Sequence, residues 1–382
     1  MKRVLSIVCI ACFCLAGGGG VKAAPFETPA EYVYMIDAET GTVLYEKNPD
    51  SLMAPASMSK LMTVEMVFDA LKSGVLTMQD KFHISDNAWR KGGVKSGSST
   101  MFAKLDSDIE LKDLLLGVIV QSANDGCIAI AEGMSGTEAA FAKAMTRRAR
   151  EIGLKKSTFA NSTGWPDPGQ KMTARELVML ADHIIRNYPD LYTAFGHKNF
   201  TWNGIKQNNR NPLLGRMEGA DGLKTGHTQE SGYGLVASVR RNGQRLILAM
   251  NGLKTSRQRA QEARKMIDWG FRAFRSFKLF DAGVEIARAK VWGGDAGSVG
   301  LVAAKPVRGL MPITAQKDLK AEIIYQGPLM APVKRGHVVA ELQISAPGGV
   351  RFSTPLQAME DVSKAGLVGR GLGVLTHMVP GL

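Results

Sequence analysis

Pro55-Ala56-Ser57-Met58-Ser59-Lys60-Leu61-Met62-Thr63 opens a run with apolar residues at helical spacing as far as Leu71. Proline just ahead of serine is a helix-start signal, so the spacing predicts a helix over Ser57–Leu71. Positions i and i+3 share a helix face, which makes Ser57 and Lys60 neighbours. A serine hydroxyl is a weak nucleophile at neutral pH and needs a base beside it. Lysine serves as that base only where burial or nearby cations make it lose its proton more readily. Taken singly, Lys60 reads as an ordinary solvated lysine, and two further segments change that. Ser122-Ala123-Asn124 follows the apolar run Ile109–Val120 and begins the turn into another helix. Lys224-Thr225-Gly226-His227 stands later, in extended sequence. In this order, S-x-x-K, S-x-N and K-T-G describe a serine acyl-transfer site with a lysine base.

Each residue type has a task at such a site. Lys224 supplies the neighbouring charge that lowers the pKa of Lys60. Ser122 relays a proton between Lys60 and the leaving amine, and Asn124 orients Lys60 or the substrate backbone. The N–H groups at the start of the Ser57 helix offer half of an oxyanion hole, and the His227 N–H the other half. Gly226 lets its strand approach a ligand closely. Two decoys are set aside. Ser85-Asp86-Asn87 is a literal S-D-N but follows no long apolar helix, and Lys254-Thr255-Ser256 ends in serine instead of glycine.

Outward from these motifs, the chain alternates between two textures. Tyr32–Ile36 and Val43–Tyr45 read as a β-hairpin. Helices are expected over Asp108–Val120, Asn124–Glu132, Thr137–Ile152, Thr173–Arg186 and Arg257–Phe274. Tyr233–Arg240 and Arg245–Met250 flank Asn242-Gly243, the strongest short hairpin signal. The first domain, expected over 28–276, is therefore α+β with an antiparallel sheet and a helical block. Short alternating runs after Val284, such as Ala321–Tyr325 and Val338–Ile344, predict a small all-β sandwich over 280–360. In the tail, 361–382, Ser363, Arg370 and His377 recur every seven residues, the pattern of an amphipathic helix and a candidate inner-membrane surface contact. Five glycines in Val362–Leu382 weigh against a stable helix there.

Residues 1–23 carry a basic start, Lys2-Arg3, then an apolar run and small residues up to Val21-Lys22-Ala23. This is a secretory signal pattern, too short for a membrane span, and it predicts a periplasmic location. Three of the four cysteines lie in it. Cys127, among Ile128, Ala129 and Ile130, reads as a small hydrophobe without a partner. The formal net charge is +13, which favours acidic wall polymer or anionic lipid over nucleic acid, since no nucleic-acid signature is present. No H-E-x-x-H or paired-cysteine spacing supports a metal, and no phosphate loop or G-x-S-x-G occurs, so neither metal nor cofactor is expected.

The stretches Pro55–Thr63, Asp221-Gly222-Leu223-Lys224-Thr225-Gly226-His227-Thr228 and Trp269-Gly270-Phe271-Arg272 resemble the low-molecular-mass penicillin-binding proteins, specifically the serine-type D-alanyl-D-alanine carboxypeptidases. The resemblance covers Glu31 to about Phe274 closely and the β-domain more loosely. It implies a penicillin-binding-protein/β-lactamase-like fold and removal of the terminal D-alanine from peptidoglycan stem pentapeptides. It also implies acylation of Ser57 by β-lactam antibiotics. The substrate ends in a carboxylate. Lys224, Thr225, Arg210 and Arg259 are the candidates to hold it, the two arginines matching the family by position. Ala123 stands where the family often has glycine, and the tail that tethers relatives looks degraded. A DD-endopeptidase or a weak β-lactamase of the same fold is the alternative. The loop Asn161–Gln170 contains Asp167 but no glutamate to activate water, which implies slow β-lactam release.

Overall fold

The computed structural model describes residues 2–7, 26–312, 320–345 and 351–366. The chain divides into two compact units, Phe26–Gly270 apart from Thr40–Thr42, and the remainder beginning at Phe271. The first boundary thus falls a few residues before the expected 276.

The first unit is built on a five-stranded antiparallel sheet. Its strands are β1 (Tyr32–Asp37), β2 (Val43–Lys47), β3 (Ala220–Thr228), β4 (Gly232–Arg241) and β5 (Gln244–Leu253). The spatial order is β2-β1-β5-β4-β3, which leaves β3 at an edge. Asn242 and Gly243 take positive φ of 49° and 81° between β4 and β5. That is the mirror-image turn whose twist suits a two-residue hairpin. Side chains alternate across the sheet. Tyr34, Val236, Ile247 and Ala249 join the core of the helical block. On the opposite face, Met35 and Leu246 meet Gly270 of the last helix, where a Cβ would come within 2.8 Å of Leu246.

The longer helices are α1 (Lys60–Lys72), α2 (Leu111–Leu116), α3 (Asn124–Ser135), α4 (Glu138–Glu151), α5 (Ala174–Asn187) and α6 (Ser256–Ala273), with one short turn of helix over Pro189–Tyr192. Thr137 and Thr173 cap α4 and α5 by accepting from Ala140 N and Glu176 N, as threonine does at helix starts. Two expected helices differ. The first begins at Lys60, after a 3-10 turn over Ala56–Ser59. The second splits into a short strand Asp108–Glu110, α2, and a π-turn over Gly117–Gln121. Asp108–Glu110 pairs with Lys81–His83, so strand pairing overrides the helical pattern there.

The second unit is all-β. It contains β6 (Phe274–Phe280), β7 (Glu285–Trp292), β8 (Ser298–Val302), β9 (Val307–Pro312), β10 (Lys320–Gln326), β11 (Leu329–Met330), β12 (Val338–Ser345) and β13 (Arg351–Ala358). β6 and β9 form a ribbon, and the others a sheet in the order β10-β12-β13-β8-β7-β11. Val307 of the ribbon shares a core with Ile323, Leu342 and Leu356 of the sheet. Pairing continues to Val362 and Lys364, past the expected end at 360. Lys2–Ile7, inside the expected leader, is an outermost strand against β10, and the rest of that leader lies outside the described residues. So does the tail from 367 on, with His377 and Arg370. No helix among the described residues is long and apolar enough to cross a membrane.

Candidate active site

Ser57 sits on the 3-10 turn, one turn ahead of α1, because its neighbour Ala56 is held at a φ of +47°. Two glycines press on that turn. A Cβ on Gly164 would stand 2.1 Å from Ala56 O, and one on Gly226 would stand 2.8 Å from Pro55 O. Only glycine permits these approaches. The glycine of K-T-G therefore seats the edge strand β3 directly against the nucleophile turn.

Lys60 Nζ donates to Ser57 Oγ at 3.0 Å and also to the main-chain oxygen of Thr163. The lysine is completely buried. Loss of hydration disfavours its charged form and brings its pKa down to about 8, with Arg210 pushing the same way. Lys224 is also buried, and its pKa is driven well down by burial and then by Lys60 and Arg210. Two adjacent ammonium groups out of water cannot both stay charged cheaply, which is how this fold keeps a basic amine available. Among the described residues no carboxylate bonds to Lys60 or Ser57.

Ser122 ends the π-turn in the left-handed conformation, at a φ of +66°. A non-glycine residue held there is strained, and such strain clusters at working sites. Its hydroxyl is buried and accepts or donates no hydrogen bond. Asn124 opens α3. Its Nδ2 donates to Ser98 Oγ at 2.9 Å, its N–H donates to Ser99 O at 2.7 Å, and its Oδ1 is buried without a partner. The amide is thus tied to the loop before Thr100 and not to Lys60, which leaves the substrate as the group for Oδ1 to meet.

Thr225 and Gly226 are buried on β3, and His227 is exposed beyond them. The His227 ring stacks on Tyr233 of β4, 3.8 Å between centroids. Arg259 of α6 lies 5.6 Å from the other partner in this column, the Tyr233 ring, and its buried Nε has no hydrogen bond. Arg210 donates to Ser99 Oγ at 2.7 Å. Burial lowers the pKa of both arginines, and they face the same lysine, Lys224. Ser57, Lys60, Lys224, Gly226, Arg210 and Arg259 therefore come together from separate segments beside the edge of β3, with Thr225 and His227 flanking Gly226 on that strand, Asn124 tied to the serine loop that also holds Arg210, and Ser122 two residues before Asn124. An edge strand offers unpaired N–H and C=O groups on which an extended peptide can lie as a further strand.

The sequence reading had no means of naming Thr163. Its carbonyl is presented to Lys60 by a turn in which Asn161 Oδ1 accepts from the N–H groups of Thr163, Gly164 and Trp165. The Asn-Ser-x-Gly composition of that loop was the available signal. Asp167, in the same loop, accepts from Gly169 N and is exposed. Both decoys are structural. Ser85 and Asn87 bind Glu132, and Thr255 accepts from Gln258 N at the start of α6. Cys127 is buried and unpaired, its thiol pushed up to about 12 by burial.

Residues 20–255 match the D-alanyl-D-alanine carboxypeptidase family of peptidases, and residues 274–364 match the C-terminal domain of penicillin-binding protein 5. The chain is 36% identical over 392 aligned positions to D-alanyl-D-alanine carboxypeptidase DacA of Haemophilus influenzae, covering 100% of this chain and 99% of that one. The crystal structure of penicillin-binding protein 5 from Haemophilus influenzae is similar with a TM-score of 0.80 and 36% identity. It covers 90% of this chain and 100% of its own. Penicillin-binding protein D2 of Listeria monocytogenes in its ampicillin-bound form has a TM-score of 0.56 at 28% identity, over 64% of this chain and 98% of that one.

Proposed function

Since the chain belongs to the D-alanyl-D-alanine carboxypeptidase family of serine peptidases, we propose that it trims the terminal D-alanine from peptidoglycan stem pentapeptides through an acyl-enzyme on Ser57. The observation that carries this reading is the fully buried Lys60 amine, 3.0 Å from Ser57 Oγ, where burial brings its pKa down to about 8. At pH 7 roughly a tenth of the enzyme then holds a neutral base.

In the proposed sequence Lys60 takes the Ser57 proton as Oγ attacks the penultimate carbonyl. The Ser57 and His227 N–H groups hold the oxyanion. Ser122, its hydroxyl uncommitted, passes a proton with Lys224 to the departing D-alanine amine. Arg210, Arg259, Lys224 and Thr225 hold the terminal carboxylate, and water activated by Lys60 releases the enzyme. A β-lactam enters the same path and acylates Ser57. Release is slow because Asp167 is committed to its own turn and, among the described residues, no carboxylate bonds to Ser57 or Lys60. This disfavours a β-lactamase.

We further propose that residues 1–23 are removed on export and that the enzyme works in the periplasm. Lys2–Ile7 is an outermost strand, so its loss removes no interior strand. The N-terminal residue of the exported enzyme tests this, and an intact Met1 would refute it. The activity test is D-alanine release from a diacyl-Lys-D-Ala-D-Ala tripeptide, with Ser57→Ala alongside. Release by the wild type alone supports the mechanism, and equal release by the variant refutes it.

A further inference from the structure

Ala88 to Thr100 contains three cations, Arg90, Lys91 and Lys95, and no acidic residue. Arg90 is engaged by Asp86 at 2.6 Å. Lys91 and Lys95 are exposed, and neither has an ion-pair partner among the described residues. Lys95 Nζ stands 4.8 Å from the centroid of the Trp89 ring, the geometry of a cation held over an aromatic face. Val94 beside it is 60% exposed.

This loop is fixed to the catalytic cleft. A Cβ on Gly92 would stand 2.2 Å from Asp125 N, so the loop lies directly on the start of α3. Asp125, completely buried, accepts from Thr100 Oγ1, Met101 N and Ala103 N. Ser98 holds the Asn124 amide, Ser99 holds Arg210, and Ser96 Oγ lies 2.7 Å from Ser98 Oγ. Lys95 is therefore one residue from a hydrogen-bonded chain that ends on Asn124. On the carboxypeptidase reading, Asn124 Oδ1 meets the substrate peptide, and the loop bonded to Asn124 through Ser98 is the next surface beyond it. The loop offers an indole and an isopropyl surface for a hydrocarbon stem, and for its end two ammonium groups with no carboxylate partner among the described residues, one of them over the indole.

We propose that Trp89, Lys91, Val94 and Lys95 form a side-chain subsite that selects substrates in which the residue before D-Ala-D-Ala carries a long side chain ending in a carboxylate. The inference rests on the carboxypeptidase reading above and adds substrate selection to it. An ammonium-ended side chain of equal length meets like charge at the same place. Each exposed cation favours the carboxylate by about fivefold, the equivalent of about 1 kcal/mol.

The test uses the exported enzyme and three acyl-X-D-Ala-D-Ala peptides. Their X side chains match in length and end in carboxylate, amide or ammonium. We expect kcat/KM for D-alanine release to favour the carboxylate peptide over the ammonium peptide by tenfold or more. The ratio should fall to about twofold in Lys91→Gln/Lys95→Gln, and likewise for the wild type at about 1 M salt, where the screening length is near 3 Å. Ratios are read within each protein, so a general loss of activity cancels. Equal rates on all three peptides, or a preference that survives the double substitution, would overturn the subsite and leave the carboxypeptidase reading standing. No release from any peptide would overturn that reading and this inference with it.

Discussion

Replacing Lys60 with methionine keeps an unbranched stem in the same space and removes the amine. The wild-type ammonium is charged at neutral pH, and its complete burial depresses its pKa from 10.5 to about 8. A shift of that size corresponds to about 3 kcal/mol of stability lost at pH 7. Lys60→Met recovers this but leaves Thr163 O without its donor, at a cost of about 1 kcal/mol. The variant should therefore be more stable than the wild type by about 2 kcal/mol at pH 7, while losing acylation. The dependence on pH is the sharper reading. The folded-state pKa lies below the unfolded one, so between pH 8 and 10.5 the unfolded chain holds a proton that the native state has released. Wild-type stability then climbs relative to the variant by up to about 1.4 kcal/mol per pH unit in that window. Lys224 acts in the same direction, because without Lys60 beside it its own penalty shrinks at neutral pH. Urea unfolding of both proteins at about pH 7, 8.5 and 10 measures the difference. A difference that stays flat from pH 7 to 10 would refute a buried, charged Lys60 and with it the argument for its basicity.

The rate of Ser57 acylation by a β-lactam should rise about tenfold per pH unit at acid pH and level off near pH 8, as Lys60 loses its proton; a pH-independent stopped-flow rate would contradict the base assignment. Lys60→Arg, which keeps charge but cannot lose it, should abolish labelling by a fluorescent penicillin. Gly226→Ala places a Cβ 2.8 Å from Pro55 O and 3.1 Å from Met58 Cγ, so β3 must move off the nucleophile turn. Acylation should fall by about a hundredfold with the circular dichroism spectrum kept. Further along α1, Glu65, a carboxylate with no exposure, pairs at 2.9 Å with Arg148; Arg148→Ala should lower the unfolding free energy by about 3 kcal/mol, and a loss under about 1 kcal/mol in urea titration would show that His183 and Tyr188 suffice to hold Glu65.

How much of this was legible in the sequence depends on which atoms do the work. Side-chain chemistry was. Ser57, Lys60, Ser122 and Lys224 stand out because the reaction needs those residue types in that order, and Asn242-Gly243 announces its hairpin because few other pairs accept two positive φ angles. The start of α1 was not legible, because the turn at Ala56 is set by Gly164 and Gly226 arriving from distant parts of the chain. Asp108–Glu110 reads as helix and pairs as strand for a similar reason, its partner being Lys81–His83. The partner of Lys60 was hidden for a different cause: it is a carbonyl, and every residue has one. The tie between Asn124 and Ser98 likewise joins two polar residues 26 positions apart, with no periodicity to link them.

That carbonyl has an evolutionary consequence. A hydrogen bond to a main-chain oxygen is indifferent to the letter at its position, so residue 163 can change as far as its turn allows, Thr163 being buried with its Oγ1 donating to Asn161 Oδ1 and accepting from Trp165 N. Position 161 has no such liberty, because the Asn161 amide draws the chain round so that the carbonyl points at Lys60. Gly164 is bound by Ala56 O in the same way. A lineage can therefore preserve its catalytic amine by conserving the path of a turn, whichever side chains hold that path.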